Sequence, residues 1–187
     1  LHVTRWEQRI PQHPQSYPRP QSKIVRLVSD RTEVSIRLEV SAGVDAPMTA
    51  VWNVLVDWAG QSRWIPLTTV RVFTDRQVGL GVRAEALSGV WLGRIPFGLL
   101  DRFIVTGWSP ALSDTAELEI LHLGPYFTGE GVFRLTGHDG KTTVACTEVF
   151  SVPGGRPVQW IARLALPALR AGFARSLRML AAIAEAR

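Results

Sequence analysis

Two ionisable side chains in the second half of the chain occupy positions from which they could transfer protons. The pair Asp139-Gly140 lies between two β-type runs and is a strong signal for a hairpin with a two-residue turn. Such a turn places Gly131 directly opposite Glu148 on the paired strand. Because Phe133 is an expected inward residue of the same strand, Glu148 is expected to point inward as well, over the small Gly131.

A carboxylate that points into an apolar interior would acquire a raised pKa, which is how a general acid is made. The alternative is a strand register shifted by one residue, which would turn Glu148 into water. Most glutamates are exposed, so both orientations stay open at this point.

His122 is the second candidate for acid–base chemistry. It shares strand alternation with Leu118 and Ile120, so its imidazole is expected on the same inward face. There it could bind a ligand oxygen or shuttle a proton, although a single histidine on an apolar face is more often a hydrogen-bonded core residue. Nothing in the sequence shows that His122 and Glu148 approach each other.

Other kinds of catalytic or metal site are not indicated. The chain has no nucleophile elbow, no H-E-x-x-H motif, no Walker loop and no full dinucleotide fingerprint. Cys146 is the only cysteine, which excludes an intramolecular disulfide and a Cys-rich zinc site. Of the other histidines, His2 and His13 lie near the N-terminus and His138 lies beside a turn. We therefore predict no metal ion and no cofactor.

The elements that would position these residues begin with an alternating strand from Glu33, followed by a helix opened by Asp45-Ala46-Pro47 and a broken helical stretch over 60–66. Six strand-like runs follow, near 68–74, 80–88, 101–109, 115–123, 127–137 and 141–152. Residues 157–185 then form one helix of about 40 Å, which Pro167 should bend. Short links between successive strands require an antiparallel sheet, whose apolar face the long helix must cover.

The stripe of this terminal helix that is expected to face inward has small side chains in its middle. Its members run from Ile161 to Ile183, opposite Arg163, Arg170 and Arg178. Ala165, Ala168, Gly172 and Ser176 occupy the middle of the stripe. Small residues either let the helix pack closely on the sheet or leave room for a ligand between the two, and periodicity alone does not choose.

The two ends of the chain differ from the middle in charge. Residues 1–32 are rich in Pro and Gln and are predicted to be a poorly ordered basic arm, followed by one domain over 33–187. Residues 156–187 carry six basic groups and one acidic group. This distribution leaves open a docking surface for protein, membrane or nucleic acid, although solvated arginines are the simpler interpretation and no nucleic-acid partner is expected.

Hydropathy bears on the cellular location. The sequence contains no apolar stretch of eighteen residues that is free of charged residues, so no membrane span is predicted. Transient contact with a membrane stays open. The N-terminus has no charged-then-apolar signal pattern, so we expect a cytoplasmic protein.

Several short motifs, weak singly, occur in an order that resembles the START-like (SRPBCC, helix-grip) superfamily, in particular its polyketide cyclase/dehydrase and lipid-transport branch. The resemblance spans 33–187 and rests on these motifs: Val44-Asp45-Ala46-Pro47, Val51-Trp52, Asp57, Trp64-Ile65-Pro66, Gly79-x-Gly81, Trp108-Ser109-Pro110, Gly140-Lys141-Thr142-Thr143-Val144 with Thr147-Glu148, and Arg156-Pro157 with Phe173 and Leu177.

The resemblance implies an α+β fold: a seven-stranded antiparallel sheet wrapped around a long C-terminal helix, with two short helices after the first strand. It also implies a hydrophobic cavity between sheet and helix. Residues expected on the cavity wall are Trp64, Trp91, Phe103, Phe133, Ala165, Ala168, Leu169, Gly172, Phe173 and Ser176. The run 90–100 around Trp91 is either a hairpin or loop at the cavity mouth or a strand pair buried beneath the arm.

The leading hypothesis is binding or carriage of a small hydrophobic molecule, such as a lipid, an isoprenoid or a polyketide-like compound. The alternative is an enzyme of the cyclase/aromatase or dehydrase kind that uses Glu148 or His122 as acid or base. A fold of this kind serves many tasks, so the resemblance alone does not choose between them.

Overall fold

The computed structural model describes residues 33–92, 95–112 and 114–187, and the predicted arm over 1–32 lies outside them. Seven strands and two α-helices form the fold. The strands are β1 (Glu33–Val44), β2 (Thr68–Val72), β3 (Arg83–Leu92), β4 (Ile95–Ser109), β5 (Thr115–Pro125), β6 (Thr128–His138) and β7 (Lys141–Pro153). The helices are α1 (Met48–Leu55) and α2 (Arg156–Glu185), with a 3₁₀ turn over Gln61–Arg63. The order of elements predicted from the sequence is confirmed.

All seven strands belong to one antiparallel sheet in the order β1-β7-β6-β5-β4-β3-β2. Six of the strands follow one another along the sheet, as short links require. β1 instead pairs with the last strand, so that Leu38 lies opposite Glu148. The chain between β1 and β2, which contains α1, therefore crosses from one edge of the sheet to the other. The predicted helix-grip architecture is confirmed.

The turn between β6 and β7 has the predicted two residues. Asp139 and Gly140 both have positive φ angles, 49° and 76°, as the hairpin turn that matches strand twist requires. The predicted register follows from it, because Phe133 pairs with Cys146 and Gly131 with Glu148. Glu148 is therefore on the inward face, and the alternative of a shifted register is excluded.

The apolar run over 90–100 belongs to a long hairpin of β3 and β4, in which Val90 pairs with Phe97 and Trp91 with Pro96. A hairpin was among the interpretations left open for this run, and its strands extend further than the predicted runs over 80–88 and 101–109. The side chains of residues 90–97, including that of Trp91, lie outside the described part of the structure.

The two halves of α2 have different surroundings. In the C-terminal half, Leu177, Leu180 and Ala184 are buried in the main core against α1 and the sheet. In the N-terminal half, Ile161 and Leu164 are 65% and 78% exposed. The expectation that Ile161 faces inward is wrong, because the first turns of the helix stand at the rim of the fold and not on a filled core. Among the described residues, no helix is both long and apolar enough to cross a membrane.

We expect Leu180→Ala to lower the free energy of unfolding by about 2–5 kcal/mol, since it removes a fully buried side chain from the core. Leu164→Ala, the matched change in the exposed half of the same helix, should alter it by no more than about 0.5 kcal/mol. Urea unfolding followed by tryptophan fluorescence measures both. Equal losses in the two variants would contradict the division of α2 into a core half and a rim half.

Candidate functional site

A cavity of about 990 Å³ lies between α2, the 3₁₀ segment and the inward face of the sheet. Its volume is at the upper end of the range of small-molecule sites. Aromatic and aliphatic side chains form most of its wall, and ionisable groups enter it from β4, β5 and β7. A hydrophobic molecule of modest size could therefore be enclosed there and held next to a few polar groups.

The structure places nine of the ten residues predicted for the cavity on its wall. They are Trp64, Phe103, Phe133, Ala165, Ala168, Leu169, Gly172, Phe173 and Ser176. The tenth, Trp91, has its side chain outside the described residues. That these residues contact a ligand stays a prediction.

The small residues of α2 border this space. Ala165, Ala168 and Gly172 line the cavity, and a Cβ atom built on Gly172 would meet no atom within 4 Å. Close packing of the helix on the sheet would have brought sheet atoms within contact distance of that position. Of the two explanations for the small stripe, the geometry therefore favours the one in which it leaves room.

Three ionisable groups on the cavity wall form one hydrogen-bonded chain. The imidazole of His122 has Nδ1 at 2.8 Å from Asp101 Oδ2 and Nε2 at 3.1 Å from Glu148 Oε2. The side chains of His122 and Glu148 are 6% and 4% exposed. The two carboxylates bind opposite ring nitrogens and do not converge on one point, and no cluster in the described ranges is arranged to hold a metal ion.

The contact between His122 and Glu148 spans a whole strand. His122 is on β5 and Glu148 on β7, and β6 lies between them. On β6 the residues opposite the two side chains are Gly129 and Gly131. A Cβ atom on Gly131 would lie 2.7 Å from Glu148 Oε2, closer than packed atoms allow. Gly131 therefore leaves the space through which the two side chains meet.

Asp101, the third member of the chain, was not identified from the sequence. It has the same strand parity as Phe103 and Val105 on β4, both of which are buried. Strand alternation therefore predicts an inward side chain for Asp101, and this was the signal by which the sequence could have identified it. Its contact with His122 could not be read in the same way, because the register between β4 and β5 shifts between Asp101 and Phe103.

Opposing effects set the protonation of His122. Burial by itself lowers the pKa of an imidazole, but the hydrogen bonds and charges of Asp101 and Glu148 outweigh burial and raise the pKa of His122 to about 9. At neutral pH the ring is therefore an imidazolium that donates one N–H to each carboxylate. Phe127 and Phe150 lie beside it, with ring centroids at 5.3 and 5.5 Å.

Glu148 combines deep burial with a cationic partner. Burial raises the pKa of Glu148, and the hydrogen bond and charge of His122 counter part of that rise. On its other side the Cys146 thiol donates to Glu148 Oε1 at 3.7 Å. Burial also raises the pKa of Cys146, so that the thiol stays protonated and keeps this role as a donor. The raised pKa of Glu148 therefore makes its carboxylate a stronger proton acceptor than an exposed glutamate.

Several solved structures share this architecture at low sequence identity. A protein from Thermus thermophilus is 14% identical, with a TM-score of 0.63 over 81% of this chain and 98% of that one. The Zhui aromatase/cyclase from Streptomyces sp. R1128 is 20% identical, with a TM-score of 0.59 over 82% of this chain and 96% of that one. The di-domain ARO/CYC StfQ from the steffimycin biosynthetic pathway is 13% identical, with a TM-score of 0.62, and the match covers 82% of this chain and 52% of that one.

No family model matches the chain, and no curated protein matches its sequence. Identities of 13–20% over most of the chain show a common fold. The protein therefore shares the fold of these aromatase/cyclases, and the helix-grip fold implied by its sequence resemblance is confirmed.

We expect the stability of the protein to fall as pH rises through the range from about 6.5 to about 9. The folded state raises the pKa of His122 to about 9 from an ordinary value of 6.5, so the stabilisation is complete below the lower value and is lost through the upper one. The raised pKa of Glu148 acts in the same direction, because the fold favours its protonated form. Urea midpoints measured across this range should fall in the wild type and much less in the double variant His122→Gln/Glu148→Gln, which removes both groups with raised pKa values.

His138→Gln is the matched control, since His138 is exposed on the β6–β7 hairpin. It should keep the fall of the wild type. A flat profile in the wild type, or the same fall in the double variant His122→Gln/Glu148→Gln, would show that the three hydrogen-bonded groups do not hold the charge described here.

We expect Gly131→Ala to displace the Glu148 carboxylate, because the new methyl group would overlap it. The pKa of His122, followed by NMR titration of its ring protons, should fall. The free energy of unfolding should decrease by about 1–3 kcal/mol. Gly137→Ala, on the same strand, is the control, since its Cβ would have Met48 at 3.7 Å as nearest neighbour. An unchanged His122 pKa in Gly131→Ala would refute the role assigned to this glycine.

Proposed function

We propose that the protein binds a small hydrophobic molecule that carries an oxygen function and catalyses proton transfer on it through His122 and Glu148. The observation that carries the proposal is the hydrogen-bonded pair of these two residues on the wall of a large apolar cavity. Binding and carriage need the cavity alone. The buried pair adds a capacity for chemistry that a carrier does not require.

The energetic cost of the pair supports a catalytic role. Taking an imidazolium and two carboxylates out of water costs several kcal/mol for each ion, which their mutual attraction returns only in part. Apolar side chains of similar volume on the wall would serve a carrier equally well. Perturbed pKa values in a cleft are characteristic of acid–base sites, and here they occur on adjacent groups.

The arrangement suits removal of water from a β-hydroxy ketone, a step that accompanies ring closure and aromatisation. Glu148 would accept the proton from the carbon next to the carbonyl while a carbon–carbon double bond forms. The carbon–oxygen bond of the hydroxyl would break, and His122 would donate its proton so that the group leaves as water. The substrate loses one molecule of water, Glu148 gains one proton and His122 loses one.

The contact between the two residues would restore the site. Glu148 Oε2 lies 3.1 Å from His122 Nε2, so the proton that Glu148 has taken can pass directly to the imidazole. Asp101, bound to Nδ1, would hold the ring orientation and favour the imidazolium that this return produces. The cycle then needs no proton from bulk water. The aromatase/cyclases among the structures with this fold accord with such a reaction class.

The first test is native mass spectrometry of the purified protein, followed by organic extraction and identification of any bound molecule. The second is exchange of the α-protons of a hydrophobic ketone, tetralone, for deuterium, followed by NMR in heavy water. We expect the wild type to accelerate the exchange and Glu148→Gln to lower the rate by about 100-fold or more, since general acid–base catalysis contributes about that much.

Glu130→Gln is the matched control, because Glu130 is an exposed residue of β6, the strand next to Glu148. It should exchange at the wild-type rate. If the protein takes up tetralone but Glu148→Gln exchanges as fast as the wild type, the protein binds without catalysis. If no hydrophobic molecule is bound or taken up, the cavity function itself is refuted.

A further inference from the structure

A second polar group lies on the cavity wall, away from the chain of ionisable residues. Thr68 on β2 and Ser88 on β3 are directly opposite each other, and their hydroxyl oxygens are 2.7 Å apart. Both residues line the cavity. Thr68 is 4% exposed, whereas Ser88 is exposed, so the pair presents the serine hydroxyl to the cavity space.

This hydroxyl pair has hydrogen-bonding capacity that the fold does not use. Each hydroxyl has one donor and two acceptor sites, and the contact between them uses one donor and one acceptor. The only other bond of the pair within the described ranges is a long one, 3.4 Å, from Thr68 to the carbonyl of Pro66. Valine and alanine would fill the same space without placing polar atoms on an apolar wall.

The strand register relates the pair to the acid–base group. Asp101 on β4 lies opposite Ala86, and Ser88 is two residues further along β3 on the same face. Such diagonal neighbours are roughly 7–8 Å apart. Asp101 Oδ2 is bound to His122, and Asp101 Oδ1 has no hydrogen-bond partner among the described residues. The polar residues thus form one row across the sheet, interrupted between Ser88 and Asp101.

We propose that Thr68 and Ser88 form a second polar subsite, which hydrogen-bonds an oxygen of the bound molecule remote from the reacting one. The ligand class that fits is a rigid, mostly apolar molecule with one oxygen function at His122–Glu148 and one at Ser88. Their separation exceeds the roughly 7–8 Å between Ser88 and Asp101, because His122 and Glu148 lie on strands beyond β4. A single-headed lipid would leave the hydroxyl pair unused. This inference rests on the proposed function, because it assumes that the cavity holds the substrate.

The test compares two probes by isothermal titration calorimetry: a phenyl-substituted naphthol with one hydroxyl, and the matching diol with a second hydroxyl at the far end of the phenyl ring. We expect the diol to bind the wild type about 3- to 10-fold more tightly than the naphthol, the gain of one net hydrogen bond. In Thr68→Val/Ser88→Ala that advantage should disappear. Replacing both partners by apolar groups of similar shape leaves neither one unpaired, so the fold should be retained.

Two further variants make the result decisive. Ser88→Ala alone changes the residue that faces the cavity, and it should also abolish the advantage of the diol. Thr69→Val alters the neighbouring, exposed threonine of β2 and should keep the advantage. If the naphthol binds but the diol gains nothing, or gains as much in Thr68→Val/Ser88→Ala, the second subsite is refuted while the proposed function stands. If neither probe binds the wild type, both are refuted.

Discussion

The contact between His122 and Glu148 is the constraint on which the site depends. These side chains start from strands that are not neighbours, roughly 9–10 Å apart, and must meet over the strand between them. The meeting is possible because β6 has glycine at 131, where a side chain would occupy the place of the carboxylate. One residue without a side chain on β6 therefore decides where the Glu148 carboxylate can be buried.

Burying this charge makes demands on the rest of the fold. Three ionisable groups in an apolar wall need hydrogen bonds. Asp101 and Glu148 bond the two ring nitrogens of His122, and the Cys146 thiol bonds the second oxygen of Glu148. The cavity also has to stay open above these three side chains. The two halves of α2 keep the cavity open, because the half around Leu180 packs in the core while the half around Ala165 and Gly172 lines the cavity. One half of the helix thus stabilises the fold, and the other half forms a wall of the candidate site.

Much of the fold could be predicted because its signals are local. Alternation identified the strands, and Asp139-Gly140 identified a turn whose geometry fixes the pairing of β6 with β7 residue by residue. That pairing and strand alternation made an inward direction of Glu148 and His122 possible, and the structure decided between it and the alternatives left open. The same reasoning was wrong for Ile161, which a helical wheel places inward, because a wheel assumes a filled core along the whole helix. It also passed over Asp101, although strand parity placed that residue inward.

What the sequence by itself determined is which residues share a face of each element, since side-chain direction follows from the period of a strand or helix. It did not determine that His122, Glu148 and Asp101 form one chain. That depends on the order of strands across the sheet, on the register shift between β4 and β5, and on the free space above Gly131. These are relations between segments distant in sequence, and only the folded chain brings such segments together. The tertiary structure therefore decided the site, whereas local patterning decided the elements that carry it.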